Sequence, residues 1–205
     1  MKYVLACLTI ALLVFSATAA NAQTQTYGGV AGSFAWNQFD RMGLSAADTW
    51  ELDLMDDSWA GHLFGGWNYS EQLAIEADFG YYFRWEAGED LEALGARSDS
   101  ELNMWALTVS GIYKIAVGDG AWTPYAIGGI GWGKFETAGT GFTIRDQDGG
   151  RDTDQSGWLW RLGGGVAVPI SDTMDFVGDV TYVFTTGDIE DLDFVDFRFG
   201  VRVNL

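Results

Sequence analysis

Residues 73–85 alternate strictly. Leu73, Ile75, Ala77, Phe79, Tyr81, Phe83 and Trp85 are apolar or aromatic, whereas Ala74, Glu76, Asp78, Gly80, Tyr82 and Arg84 between them are small, polar or charged with one aromatic. A β-strand sends successive side chains to opposite faces, so this segment reads as a strand with one greasy face. The same period of two runs through residues 105–113, 158–168, 174–184 and 195–205. Three further segments, 27–36, 59–68 and 124–135, carry it diluted by glycine, and the facing of 124–135 stays open at this level. That makes eight strands. Short connections (69–72, 116–121, 169–173) alternate with long ones (37–58, 86–101, 136–156, 185–193), as in transmembrane barrels with tight turns at one rim and long loops at the other. Within the first long loop, Ser45 can cap a short helix over 45–55, with Asp48 at the capping-box offset. The expected fold is all-β: an eight-stranded antiparallel up-and-down transmembrane β-barrel.

Volume decides which face turns inward. The interior of an eight-stranded barrel is just wide enough to be filled by side chains. Turning most of the Trp, Phe, Tyr, Leu and Val inward would overfill it, whereas the small and charged face fits. The aromatic face is then left outside, where water would meet a very large apolar patch but lipid requires one. Trp36, Trp59, Trp67, Trp85, Trp105, Trp122, Trp158 and Tyr182 fall near strand ends, where an interfacial aromatic girdle belongs.

The N-terminus changes the compartment. Lys2, an apolar run over 4–15 and Ala20-Asn21-Ala22 make a secretory signal peptide, with cleavage expected before Gln23. The expected organisation is a cleaved signal over 1–22 and one outer-membrane barrel domain over 23–205. The only cysteine, Cys7, leaves with the signal, so no disulfide is available to the mature chain. Ten basic residues then face 29 acidic ones, a net charge of −19 that argues against a nucleic-acid partner. Of those acids, 21 fall in the long connections, opposed there by Arg41, Arg97, Arg145 and Arg151. Such a crown suits solvation at a cell surface, or bridging by divalent cations to lipopolysaccharide phosphates.

On the inward face, five acids (Glu76, Asp78, Asp175, Asp179, Asp196) match five bases (Arg84, Lys114, Arg161, Arg198, Arg202) in number. Buried charges are costly unless paired, so a balanced set implies a lumen closed by salt bridges.

The stretches Thr123-Pro124-Tyr125-Ala126-Ile127-Gly128-Gly129-Ile130-Gly131-Trp132, Trp160-Arg161-Leu162-Gly163-Gly164-Gly165-Val166 and Phe197-Arg198-Phe199-Gly200-Val201 carry a resemblance. Across essentially the whole mature chain, the sequence resembles the small outer-membrane β-barrel proteins of Gram-negative bacteria, OmpA- and OmpX-like, in the form without a periplasmic peptidoglycan-binding domain. The resemblance implies insertion by the barrel-assembly machinery and an outer-membrane location among lipid and lipopolysaccharide, and a monomer is expected. One departure is the last residue: such proteins usually end in Phe or Trp as part of the assembly signal, and this chain ends in Leu205.

Candidate chemistry is sparse. His62 is the only histidine, and a lipid A-modifying enzyme would need it beside a nucleophile. No histidine–serine pair stands adjacent in the sequence, so a structural histidine is the expectation. Asp146, Asp148, Asp152 and Asp154 loosely resemble a calcium loop, but the closing glutamate is missing and Arg151 opposes a cation, so no metal is expected. The glycines of 128–133 lack the helix a dinucleotide fingerprint needs, so no cofactor is expected either. The leading expectation is a non-enzymatic barrel with a structural or surface-interaction role. A narrow channel for small or apolar solutes and a lipid A-modifying enzyme using His62 are the alternatives.

Overall fold

The computed structural model describes residues 26–37, 57–86, 101–117, 121–138, 154–187, 189 and 192–205. The signal segment, the loop helix over 45–55, the side chains of Arg84 and Asp154, and Asp146, Asp148 and Asp152 lie outside the described residues.

Eight antiparallel strands close into one barrel: β1 (Thr26–Asn37), β2 (Ser58–Asn68), β3 (Leu73–Glu86), β4 (Glu101–Lys114), β5 (Thr123–Ala138), β6 (Asp154–Pro169), β7 (Met174–Gly187) and β8 (Phe194–Asn204). Each strand pairs with its sequence neighbours, and β1 pairs with β8 from Tyr27 opposite Asn204 to Asn37 opposite Phe194. At 11 to 16 residues the strands reach or exceed the roughly 9–11 that a tilted strand needs to cross the hydrocarbon. Closure leaves no sheet edge, the condition for strands to sit in lipid.

The alternation read from the sequence is the alternation of the barrel wall. Leu63, Leu107, Val109, Trp160, Leu162, Phe176, Val180 and Phe199 are exposed on the outside. The undecided strand resolves too: in β5, Tyr125, Ile127 and Phe135 are buried inside and Ile130 and Trp132 stand outside.

Two inward features depart from the sequence expectation. Trp85, expected in the outer girdle, is 0 % exposed. Between Tyr82 and Trp85 the register against β4 shifts, since three steps on β3 oppose two on β4. This one-residue bulge reverses the facing and swings the indole into the lumen. There it stacks on Tyr82 at 5.4 Å and meets Phe135 and Phe194. Secondly, the lumen is not filled by small and charged residues alone. Towards the long-loop rim, Trp85, Met104, Phe135, Leu159 and Phe194 join Ile189 and Leu192 in an apolar cluster. Towards the short-turn rim, Tyr27, Phe64, Ile112, Tyr125 and Ile127 form another.

Glycine makes room for the inward aromatics. Phe64 lies over its cross-strand partner Gly29, and Tyr125 over its partner Gly165, where an added Cβ would come within 2.7 Å of the ring's Cζ. Of the β7–β8 connection, Ile189 and Leu192 are buried in the apolar cluster at the long-loop rim. Thr185 donates from Oγ1 to the Ile189 carbonyl at 2.5 Å and from its amide to Asp193 at 2.8 Å. Strand β7 thus continues to Gly187, whose φ of 88° starts the turn.

Candidate functional site

Between the two apolar clusters runs a belt of charge. Its centre is Arg198 on β8, 1 % exposed. Its Nη1 donates to Asp78 at 3.0 Å, Nη2 to Glu76 at 3.1 Å, and Nε to Asp179 at 3.0 Å. One guanidinium therefore ties β3 and β7 to β8 across the lumen, and its fixed fork of donors suits three carboxylates at once. Its face also lies over the Phe64 ring, 5.1 Å from the centroid. Two tyrosines complete the acids' shells: Tyr27 donates to Glu76 at 3.1 Å and Tyr125 to Asp179 at 3.0 Å.

Arg161 on β6 is engaged differently. It stands 3.5 Å from Asp179 and 3.8 Å from Asp78, and its Nε and Nη2 make no hydrogen bond. Nearer the short-turn rim a second group forms. Arg202 binds Asp175 at 2.6 Å and lies over the Tyr27 ring, Asn204 also donates to Asp175, and Lys114 donates to Asn68. Of the ten charged residues expected inside, Arg84 has its side chain outside the described residues. Glu76, Asp78, Arg161, Asp179, Asp196 and Arg198 meet in the belt, while Lys114, Asp175 and Arg202 sit below it.

The long separation between Ser33 and His62 hid a contact. The β1–β2 hairpin brings Ser33 Oγ to 2.9 Å from His62 Nε2, and His62 Nδ1 lies 3.0 Å from Asp78. The absence of a histidine–serine pair in the sequence is thus corrected by the fold. The pairing could be found by setting β1 against β2 in register, where Ala31 opposes His62 and Ser33 stands one inward position further on. The order serine–histidine–aspartate is that of a nucleophilic triad. All three side chains are buried, however, and the apolar clusters lie between them and both rims. Among the described residues, no group of acids, histidines or cysteines is arranged to hold a metal.

Of the residues expected in the aromatic girdle, Trp36, Trp59, Trp122, Trp158 and Tyr182 are exposed on the outer face, Trp59 at 68 %. Trp67 and Trp105 are half-buried on the same face, and Trp85 is inside.

A family model described as outer membrane protein beta-barrel domain matches residues 7–204. No curated protein matches the chain in sequence. Among solved structures, the chain is similar to Neisserial surface protein A, with a TM-score of 0.58 and 13 % identity over 89 % of this chain and 97 % of that one. It is similar to a major outer membrane protein from Thermus thermophilus, with a TM-score of 0.58 and 11 % identity over 89 % of this chain and all of that one. Outer membrane protein H of P. aeruginosa gives a TM-score of 0.51 and 16 % identity over 88 % and 99 %. At these identities the likeness is one of fold.

Proposed function

Since the chain belongs to the family of outer membrane protein beta-barrel domains and sits in the bacterial outer membrane, we propose that it is a non-enzymatic, non-conducting barrel that holds an acidic surface at the long-loop rim. The observation that carries this reading is the layered closure of the lumen: apolar cluster, charged belt, apolar cluster. A solute would have to push through both hydrophobic layers and break the Arg198 ion pairs between them. With the outer wall committed to lipid, recognition is left to the connections that carry most of the acids. Their fitting partner is lipopolysaccharide, approached through divalent cations that bridge carboxylate to phosphate. The reading includes a signal peptide over 1–22, insertion by the barrel-assembly machinery, a monomer, and an interfacial girdle of the outward Trp and Tyr.

Planar-bilayer recording tests the closure. No stable conductance step is expected from the refolded barrel, and reproducible single-channel openings would refute it. Lipopolysaccharide-containing vesicles test the partner: binding should rise with calcium or magnesium and fall on chelation, and indifference to both would remove the cation bridge.

The Ser33–His62–Asp78 order is the one observation that favours a hydrolytic reading. Two features oppose it: the triad opens into a lumen closed by apolar layers on both sides, and the barrel ladder occupies the backbone N–H groups that would form an oxyanion hole. Replacing Ser33 by Ala should leave the lipid A profile of expressing cells unchanged; a lost modification would reinstate the enzyme.

A further inference from the structure

Four side chains of the lumen hold polar atoms that no protein group satisfies: Arg161 at Nε and Nη2, Thr108 and Thr181 at Oγ1, and Asp196 at Oδ1. All four residues are more than nine-tenths buried. Buried polar atoms are almost always hydrogen-bonded, either to protein or to ordered water.

The strand register gathers the four at one height. Thr108 on β4 stands opposite Gly131 on β5. One inward position from Gly131, towards the short-turn rim, Gly129 stands opposite Arg161 on β6. One further position in the same direction, Gly163 stands opposite Thr181 on β7, which itself faces Asp196 on β8. Steps that all run towards one rim are what strand tilt requires of side chains encircling a barrel at one level. Thr108 and Thr181 turn their methyls to the wall, where a Cβ added at Gly131 or Gly163 would meet Cγ2 at 2.5 and 2.8 Å. Arg161 stands beside Asp179 at 3.5 Å and Asp78 at 3.8 Å, yet Nε and Nη2 bond neither. The hydrogen bond that Asp196 accepts from Tyr82, at 3.5 Å, falls on Oδ2 and leaves Oδ1 unused.

We propose that this level of the lumen is a binding site for internal water, in which at least one molecule accepts from Arg161 and donates to Asp196 Oδ1. The two threonine hydroxyls bond the same molecule or its neighbour. The donor set selects the ligand. Guanidinium N–H groups only donate, a carboxylate oxygen only accepts, and hydroxyls do both. A cation placed here would face the Arg161 guanidinium, and an anion would face the Asp196 carboxylate. Water accepts and donates without charge, and buried water characteristically bonds about three otherwise unsatisfied groups. The apolar clusters on either side separate it from both bulk phases. The inference stands on lumen geometry and does not depend on the surface role.

Two measurements test it. In the barrel labelled with 15N-arginine and refolded into micelles, the Arg161 Nε–H signal is identified by its loss in Arg161→Met. A cross-peak from water to that proton is expected, of opposite sign in NOE and ROE spectra, which marks direct contact as distinct from proton exchange. A resolved Arg161 signal with no such contact would overturn the site. Thr108→Val and Thr181→Val replace each hydroxyl by a methyl of nearly the same shape. If the hydroxyls bond water, each variant should lower the folding equilibrium about threefold to tenfold in urea unfolding from vesicles, the net worth of one hydrogen bond. An equilibrium unchanged or raised would mean dry hydroxyls and no water site. The cost of Thr181→Val should also stay the same when sodium chloride is exchanged for choline chloride or sodium gluconate. A cost that follows either ion would replace water by that ion and refute the proposal.

Discussion

Replacing Arg198 by Met is the most direct test of what closes the lumen. Methionine keeps the length and the apolar contact with Phe64 but strands Glu76, Asp78 and Asp179, all buried, without the cation that bonds each of them. Breaking a buried ion pair by removing one partner costs about 3–5 kcal/mol. Two features set the expectation at the lower end of that range. Arg161 is already 3.5 Å from Asp179 and 3.8 Å from Asp78 and can move closer. Tyr27 and Tyr125 still donate to Glu76 and Asp179. A loss of about 3 kcal/mol is expected, roughly a hundredfold in the folding equilibrium at 1.36 kcal/mol per decade. Urea unfolding from lipid vesicles, followed by tryptophan fluorescence and by gel mobility with and without boiling, reads it. Adding Glu76→Gln and Asp179→Asn removes two of the three stranded charges, leaving Asp78 with its His62 contact, and should restore at least half the loss, since neutral, well-packed replacements of a buried ion network are often tolerated. A loss below about 1 kcal/mol for the single variant, or a triple variant no better than the single, would refute the idea that unpaired charge is the cost.

Other perturbations separate the layers. Trp85→Ala removes the centre of the long-loop-side cluster and should cost about 3–5 kcal/mol by the same urea assay; an outward Trp85, as the unbroken alternation would have it, would cost far less. Leu107→Arg puts a charge near the middle of the lipid face of β4 and should cost about 2–4 kcal/mol in vesicles. A neutral result there would mean that this face does not meet hydrocarbon. Gly187→Ala forces a side chain onto a φ of 88° and should lower stability by about 1 kcal/mol without changing the spectrum of the folded barrel.

Period-two alternation was enough to read the strands, their number and the outer face, because lipid on one side and a narrow lumen on the other act on every residue. It failed where one extra residue enters a strand. Nothing between Tyr82 and Trp85 marks the bulge in composition, and only pairing with β4 reveals it. The inward charges were legible as a set, since Glu76, Asp78, Asp179 and Arg198 lie on the polar side of strong strands. Their partners were not. Arg198 reaches acids 120 and 122 residues away, a choice made by closure of the barrel and not by local spacing. Tyr27, Tyr125 and Ser33 escaped notice for a related reason: each lies in a glycine-diluted strand whose facing was weakly marked.

Both faces of the wall are thus committed. Outside, the large apolar side chains must meet lipid. Inside, an eight-stranded lumen has space for one set of side chains and uses it for two hydrophobic layers around a charged belt. Enlarging the lumen at the glycine positions would not open a path, because the neighbouring side chains already lie over them: Thr181 over Gly163 and Asp179 over Gly165. A ligand large enough to matter would have to displace paired charge as well as apolar surface. Selection for binding can therefore act at low structural cost only on the connections at the long-loop rim, and 21 of the 29 acidic residues are found in those connections.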